Sequence, residues 1–198
     1  FPFSRGKYLN VFKTKVWFQR LSFIGELGWE IYVPIKKTNN IFNKINKFGK
    51  KFNLAYAGMH ALDILRLEKK FLHWGHDITS ENNPFEAGLT FAVNFKKDTD
   101  FIGRKALEKI IDIRPKKKLE LFSLKNNLMP GKPLLLHDEP IFYKGEMVGS
   151  TTSSNYSFCY KKNICLAYIK GDLNNYEGLT LEVEGKKYAL NHEKLALH

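Results

Sequence analysis

Cysteine is nearly absent from this sequence, and its scarcity argues against two kinds of protein. Cys159 and Cys165 are the only cysteines. Their spacing fits neither a zinc site nor the disulfide framework of a small secreted domain, so we expect a reducing compartment. The six histidines form no HExxH motif or comparable cluster, and we therefore predict no metal site.

Long apolar runs and nucleotide-binding motifs are also missing. No stretch of about 18 apolar residues occurs, so we predict no transmembrane helix and no membrane partner. No GxGxxG motif is present. The first ten residues do not resemble a signal peptide, and the chain begins at Phe1 rather than at a methionine. We read both ends as cut and expect the chain to be part of a longer protein.

Arginine is scarce although the chain is strongly basic. The net charge is +12, and 27 lysines stand against 5 arginines. The guanidinium fork suits phosphates and base edges, whereas these lysines are scattered in short runs. We therefore predict a solvated basic surface and no nucleic-acid partner, while attraction of a polyanionic small molecule stays compatible with the charge.

The residues that are present divide the chain into two parts with different periodicity. The 16 phenylalanines and the 43% hydrophobic content are typical of a globular protein with one or two domains. Apolar residues at helical spacing predict helices over residues 36–52, 58–71 and 104–112, with a loop over 77–84 and a strand within 85–95.

From Pro115 onward the period changes to two. Alternation predicts strands over residues 118–124, 165–169 and 179–183, and Lys144-Gly145 and Glu184-Gly185 are typical two-residue hairpin turns. We predict an α+β protein, with one domain over residues 1–114 and a small antiparallel β-barrel over residues 115–198.

The most informative segment is residues 20–34, RLSFIGELGWEIYVP. It reads as two strands joined by a turn at residues 25–28, a register that places Phe23 opposite Glu30. Carboxylates are depleted from strands and are rarely buried without a partner, so Glu30 needs an explanation. The residues alone favour an exposed glutamate on an edge strand. Glu26, between two glycines, is read as an ordinary charge in a turn.

Six segments, in this order, resemble the folate-binding aminomethyltransferase family. That family includes the T-protein of the glycine cleavage system and the C-terminal regions of dimethylglycine and sarcosine dehydrogenases. The dehydrogenase branch is the nearer of the two, because of WGHD and GELGWE. The matching segments are GELGWEIYVP (25–34), GMHALDILRLEK (58–69), WGHDIT (74–79), PFEAGLTFAV (84–93), DFIGRKAL (100–107) and HDEPIFYKGEMVGSTTS (137–153).

The resemblance implies a piece of a larger enzyme. The chain would hold the C-terminal part of the folate-binding domain and most of the terminal barrel, truncated at its end. The family's catalytic aspartate would lie outside this chain, as would the FAD domain of the dehydrogenases, so we assign no catalytic residue and expect the isolated chain to be inactive.

The implied activity is transfer of a one-carbon unit from a methylated amine, of the dimethylglycine or sarcosine type, to tetrahydrofolate. The implied cofactor is tetrahydrofolate, and the partners are folate and the amine. The expected location is the cytoplasm, or the mitochondrial matrix in a eukaryote.

The resemblance also assigns roles to single residues. Glu30 matches the carboxylate that grips the pterin, whose adjacent amino and ring N–H groups a carboxylate can accept in parallel. Phe23 matches a residue that lines the pterin site, Trp74 would wall the ligand channel, and Lys118 matches an arginine near the glutamate tail of folate. For Phe23 and Trp74 the alternative is a core aromatic, and for Lys118 a solvated lysine.

Two helix residues complete the comparison. Leu62 stands where the T-protein has an arginine that contacts folate, so that contact is not carried over. Arg66 is interpreted as structural, paired with Asp63 or with a neighbouring segment.

Three alternatives stay open from the sequence. The chain is compatible with the T-protein itself or with another folate-dependent demethylase. A non-catalytic folate-binding relative involved in iron–sulfur cluster maintenance would carry a KGCYxGQE-like motif, whereas residues 97–104 read KDTDFIGR, without cysteine. A basic interaction domain without folate is the remaining possibility.

Overall fold

The computed structural model describes residues 1–126, 128–194 and 196, and the chain divides into two compact units, Phe1–Asp63 and Ile64–His198. The α+β class predicted from the sequence is confirmed by the elements below. The predicted domain boundary between residues 114 and 115 stays a prediction. Among the described residues, none of the helices combines the length and the apolar character needed to cross a membrane.

The first unit holds a three-stranded antiparallel sheet, in the order β1-β2-β3, and a helix. The strands are β1 (Gly6–Val11), β2 (Thr14–Gln19) and β3 (Glu30–Tyr32). Phe12 and Lys13 connect β1 to β2 with φ angles of 49° and 64°, as a tight two-residue hairpin requires.

The first helix, α1 (Thr38–Gly49), is flanked by 3-10 turns at Ile35–Lys37 and Lys50–Phe52. The predicted helix over residues 36–52 is therefore confirmed. It ends at Asn53, whose φ of 56° is left-handed, as asparagine tolerates better than most residues.

The predicted hairpin within residues 20–34 is wrong. Strand β3 pairs with β2, so that Glu30 lies opposite Gln19 and not opposite Phe23. Residues 20–29 form a loop, because local turn chemistry replaces strand pairing there. Gly25 has a φ of 73°, and the Ser22 hydroxyl accepts a hydrogen bond from the Glu26 amide at 3.1 Å. Strand β2 has β1 as a second partner, and this pairing continues as far as Arg20, whose amide donates to the Arg5 carbonyl at 2.9 Å.

The second helix, α2 (Met59–Glu68), confirms the prediction over residues 58–71 with a slightly shorter span. Its C-terminus is a Schellman motif: the Phe71 amide donates to the Arg66 carbonyl at 2.9 Å, and Lys70 is left-handed with a φ of 56°. Its buried residues include Ile64 and Leu67, which join Leu119 of the barrel in one core cluster.

Residues 85–95 form no strand, so that prediction is wrong. The segment contains turns and a 3-10 helix at Thr90–Ala92. The Asn83 side chain accepts hydrogen bonds from the Phe85 and Glu86 amides at 3.0 Å each, and Gly88 has a φ of 70°. These contacts hold an apolar segment in turns, which periodicity alone does not distinguish from a buried strand. The third helix, α3 (Arg104–Glu108), starts where predicted and is shorter.

The rest of the second unit is a closed antiparallel barrel with the strand order β4-β7-β6-β5-β8-β9, as predicted. The two predicted hairpin turns are confirmed by positive φ values: 50° and 89° at Lys144-Gly145, and 50° and 72° at Glu184-Gly185. The strands are β4 (Lys117–Leu124), β5 (Pro140–Tyr143), β6 (Glu146–Ser157), β7 (Lys162–Lys170), β8 (Thr180–Val183) and β9 (Lys186–Glu193).

Alternate residues of these strands face inward and form the core of the barrel. From β4, Phe122 and Leu124 point into this core, whereas Leu119 and Leu121 belong to the cluster that includes α2. Strand β4 is therefore buried on both faces, which fixes its register.

Gly171, directly after β7, leaves no room for a side chain. Its amide donates to the Lys116 carbonyl at 2.7 Å, and the Arg114 guanidinium donates to its carbonyl at 2.6 Å. A Cβ atom built on Gly171 would lie 1.6 Å from the Pro115 carbonyl oxygen. This contact holds the segment leading into the barrel against the end of β7.

We expect Gly171→Ala to destabilise the barrel by about 2 kcal/mol, because backbone atoms rather than a flexible side chain must move. Hydrogen exchange of the β7 amides in the full-length protein measures this loss. Gly58→Ala is the matched control, since its added methyl group meets nothing within 4 Å. Unchanged exchange in Gly171→Ala would contradict the close approach.

Candidate functional site

One face of the first sheet presents Glu30 together with aromatic side chains. Register places Glu30 directly opposite Gln19, and Tyr32 directly opposite Trp17. Directly opposed residues share a face of a sheet, and alternate residues along a strand do too. We call this surface the Glu30 face, made of Gly6, Tyr8, Asn10, Lys15, Trp17, Gln19, Glu30 and Tyr32. Tyr8 is 60% exposed and Tyr32 is 54% exposed, so the face is open to solvent.

The aromatic part of the Glu30 face is ordered by its own contacts. The Trp17 indole lies over Gly6, where a Cβ would come within 2.2 Å of the ring. The Tyr8 ring meets the Trp17 ring edge-on, with centroids 5.0 Å apart, and the Lys15 ammonium lies 4.5 Å from the Tyr8 centroid. Glycine at position 6 is thus what allows the indole to lie flat across the strands.

Glu30 is exposed and holds one intramolecular hydrogen bond. The Tyr32 hydroxyl donates to Glu30 Oε2 at 2.5 Å, and among the residues described it is the sole donor to this carboxylate. That hydrogen bond, together with the negative charge of Glu30, raises the pKa of Tyr32 above its ordinary value. An ionised carboxylate accepts about four hydrogen bonds, so most of the acceptor capacity of Glu30 is open to a ligand.

Phe23 and Glu26 lie in the loop before β3. Phe23 is 36% exposed in this chain. Its predicted position opposite Glu30 is wrong, because Gln19 occupies that place, and its contact with a ligand stays a prediction. Glu26 lies in the turn that its amide forms with Ser22, in agreement with a structural reading of this residue.

Trp74 and Lys118 lie in the second unit. Trp74 is 66% exposed in this chain and forms an isolated bridge with Ile78. Lys118 is half-buried on β4 opposite Ile169. The ligand contacts assigned to both residues stay predictions.

The second unit also contains a buried charge cluster centred on Arg66, which is 1% exposed. One guanidinium nitrogen donates to Asp77 Oδ2 at 2.5 Å and to the Phe71 carbonyl at 3.1 Å. The other donates to the Ser153 hydroxyl at 2.7 Å. Arg66 therefore pairs with a neighbouring segment, and the structural interpretation of this residue is confirmed.

The Asp77 carboxylate, like the Arg66 guanidinium, forms hydrogen bonds with several groups. Its Oδ2 also accepts from the His73 amide at 2.8 Å, and its Oδ1 accepts from the Thr152 hydroxyl at 2.6 Å. The side chain is fully buried. Because the carboxylate is buried and already accepts three hydrogen bonds, we interpret Asp77 as a structural residue.

A third polar cluster lies at one end of the barrel and was not predicted. The Glu120 carboxylate lies 3.1 Å from His192 Nε2 and 3.6 Å from the Lys70 ammonium, and it accepts from the Tyr176 hydroxyl at 3.4 Å. Burial and Glu120 raise the pKa of Tyr176 to about 12.

His192 and Tyr176 border a surface cavity of about 800 Å³. The cluster joins residues far apart in sequence, so no local pattern announces it. In residues 1–126, 128–194 and 196, no group of three or more His, Cys, Asp or Glu side chains could hold a metal ion.

Two family models match the chain. The GCVT N-terminal domain matches residues 1–97, and the glycine cleavage T-protein C-terminal barrel domain matches residues 118–195.

Curated relatives match most of this chain. The mitochondrial dimethylglycine dehydrogenase of Mus musculus is 35% identical over 190 residues, which is 95% of this chain and 21% of that protein. The aminomethyltransferase of Symbiobacterium thermophilum is 37% identical over 170 residues, which is 85% of this chain and 44% of that protein. This chain therefore spans about a fifth of the dehydrogenase and less than half of the aminomethyltransferase.

A solved structure shows the same fold. The glycine cleavage system aminomethyltransferase T from Bartonella henselae matches with a TM-score of 0.80, over 92% of this chain and 50% of that chain, at 24% identity. The predicted barrel fold agrees with this likeness.

We expect Asp77→Asn to destabilise the second unit by about 3 kcal/mol, because it leaves the buried Arg66 charge without its counter-ion. Urea denaturation of the full-length protein measures the change. Glu108→Gln removes the exposed Arg104–Glu108 ion pair and should cost less than about 0.5 kcal/mol. Equal stability of the two variants would contradict the structural role of the cluster.

Proposed function

This chain belongs to the glycine cleavage T-protein family, and from that premise we propose that it forms the tetrahydrofolate-binding part of an enzyme of one-carbon transfer. Its relatives include enzymes, among them dimethylglycine dehydrogenases and an aminomethyltransferase. In the proposed reaction a methylated amine is the donor of the one-carbon unit, and an amine of tetrahydrofolate is its acceptor.

The observation that carries the proposal is the exposed carboxylate of Glu30 on an aromatic face. A pterin ring presents an amino N–H and a ring N–H side by side, and one carboxylate accepts both in a charge-assisted pair. Glu30 has the acceptor capacity for this pair, because Tyr32 alone donates to its side chain among the described residues. Trp17 and Tyr8 add flat apolar surface beside it.

The task of this chain in the reaction is to bind and orient. Glu30 fixes the edge of the pterin, and pairing of β3 with β2 holds the backbone that carries Glu30. Holding the folate nitrogen beside the carbon that it receives supplies the proximity such a transfer needs. We assign no acid–base residue, since the buried Asp77 already accepts from three groups of this chain.

Methylated amines of the dimethylglycine or sarcosine type are the proposed donors. The identity of 35% to dimethylglycine dehydrogenase over 95% of this chain supports them. Leu62, which stands in place of the arginine expected in a T-protein, also favours donors of the dimethylglycine or sarcosine type over the T-protein reaction. The second candidate is the T-protein reaction, favoured by the 37% identity to an aminomethyltransferase. Turnover assays of the full-length protein with each amine donor distinguish the two.

We expect Glu30→Gln to weaken tetrahydrofolate binding about 10- to 100-fold, because the amide loses the charge and one acceptor oxygen of the pterin pair. Calorimetric titration of the full-length protein measures the affinity. Glu26→Gln, which changes the neighbouring exposed carboxylate in the loop, should bind within about twofold of wild type. Equal affinity of wild type and Glu30→Gln would reject Glu30 as a folate ligand.

The isolated chain of residues 1–198 should show no amine-to-folate transfer, because it contains no residue to which we assign the proton chemistry. The measurement is formation of methylenetetrahydrofolate by the purified fragment beside the full-length protein. Turnover by the fragment at the rate of the full-length protein would contradict this prediction.

A further inference from the structure

We propose that Tyr32 is a positioning residue, which holds the Glu30 carboxylate in the orientation that receives a pterin edge. This inference rests on the proposed function. The family resemblance assigned no role to Tyr32. The inference follows from its position two residues after Glu30 on β3, where its hydroxyl donates to the Glu30 carboxylate.

The backbone places the two side chains together. Glu30 and Tyr32 alternate on β3, and their partners Gln19 and Trp17 alternate on β2, so both pairs point to the Glu30 face. The Tyr32 hydroxyl then reaches Glu30 Oε2 at 2.5 Å. Trp17, whose ring lies over Gly6, is the cross-strand partner of Tyr32.

Among the described residues, the hydrogen bond from Tyr32 is the one contact that restrains the Glu30 carboxylate. A glutamate side chain in solvent samples several rotamers, and a ligand that requires one of them must select it at a cost in entropy. Among the described residues, no cation pairs with Glu30 and no second donor reaches it. Tyr32 occupies part of one oxygen and leaves the other oxygen open to the ligand.

The charge of the pair favours the same arrangement. The phenol donates to the carboxylate, and this bond raises the pKa of Tyr32 above its ordinary value, so Tyr32 is a protonated donor at neutral pH. Around Glu30 the sheet offers uncharged groups, namely Gln19 and Trp17 on β2 and Gly6 and Tyr8 on β1, with Lys15 on β2 as the remaining charge of the Glu30 face.

The test compares Tyr32→Phe with Tyr56→Phe in the full-length protein. Each variant loses one hydroxyl from an exposed tyrosine of the first unit, and Tyr56 lies outside the Glu30 face. At neutral pH, Tyr32→Phe should bind tetrahydrofolate about five- to tenfold more weakly, the size expected of one hydrogen bond of ordinary net strength.

A double-mutant cycle separates positioning from packing. If Tyr32 acts through the Glu30 carboxylate, Tyr32→Phe should weaken binding in the wild-type background and change the affinity less than about twofold in the Glu30→Gln background. Tyr56→Phe should keep the affinity of its parent in both backgrounds.

The outcomes distinguish a failure of the positioning role from a failure of the proposed function. If Tyr32→Phe matches wild type in affinity while Glu30→Gln still binds more weakly, the positioning role is wrong and the folate site stands. A loss of affinity that persists undiminished in the Glu30→Gln background, or the same loss in Tyr56→Phe, shows a packing role and also overturns the inference. If wild type binds no tetrahydrofolate, the proposed function itself falls.

Discussion

A buried guanidinium determines how the second unit is arranged. Arg66 is 1% exposed, and a charge so placed must be paired and hydrogen-bonded to be tolerated. Its partners come from three places: the end of α2, the loop that contains Asp77, and Ser153 on β6. The loop takes its shape from the same requirement, since Asp77 also accepts from the His73 amide and the Thr152 hydroxyl. Such a cluster contributes little net stability compared with an apolar core, but it permits one register of helix, loop and strand.

Features encoded locally were predictable, and features that depend on a distant partner were not. The barrel strands follow from two-residue alternation, and the hairpins at Lys144-Gly145 and Glu184-Gly185 follow from the preference of such turns for positive φ. The hairpin over residues 20–34 was wrong for the opposite reason. Its apolar and polar residues alternate as in a hairpin, yet β3 pairs with β2 rather than with residues 20–24. Strand β2 also pairs with β1, so the three strands form one sheet. The apolar segment over 85–95 was misassigned because an asparagine side chain, and not a strand neighbour, satisfies its backbone.

The candidate site likewise has features that were predictable from the sequence and features that were not. The odd placement of Glu30 was visible in the sequence, since a carboxylate interrupts a strand of large apolar residues. Its neighbours across the sheet were not, because Gln19 and Trp17 belong to a strand whose pairing was not foreseen. The partners of Arg66 illustrate the point further, since Ser153 lies 87 positions away along the chain. The contacts among Glu120, His192 and Tyr176 likewise exist only once the barrel has closed.

Asp77 and Glu30 differ in burial and in the number of hydrogen bonds that they accept, and this difference separates a structural carboxylate from a candidate ligand-binding one. Asp77 is fully buried and accepts from a guanidinium, an amide and a hydroxyl, which leaves it little capacity for any further donor. Glu30 is exposed and accepts from one phenol. A buried carboxylate with several donors of its own fixes its surroundings, whereas an exposed carboxylate with one donor keeps acceptor capacity for a ligand. Because a pterin edge offers two parallel donors, the proposed recognition of folate is assigned to Glu30 rather than to Asp77.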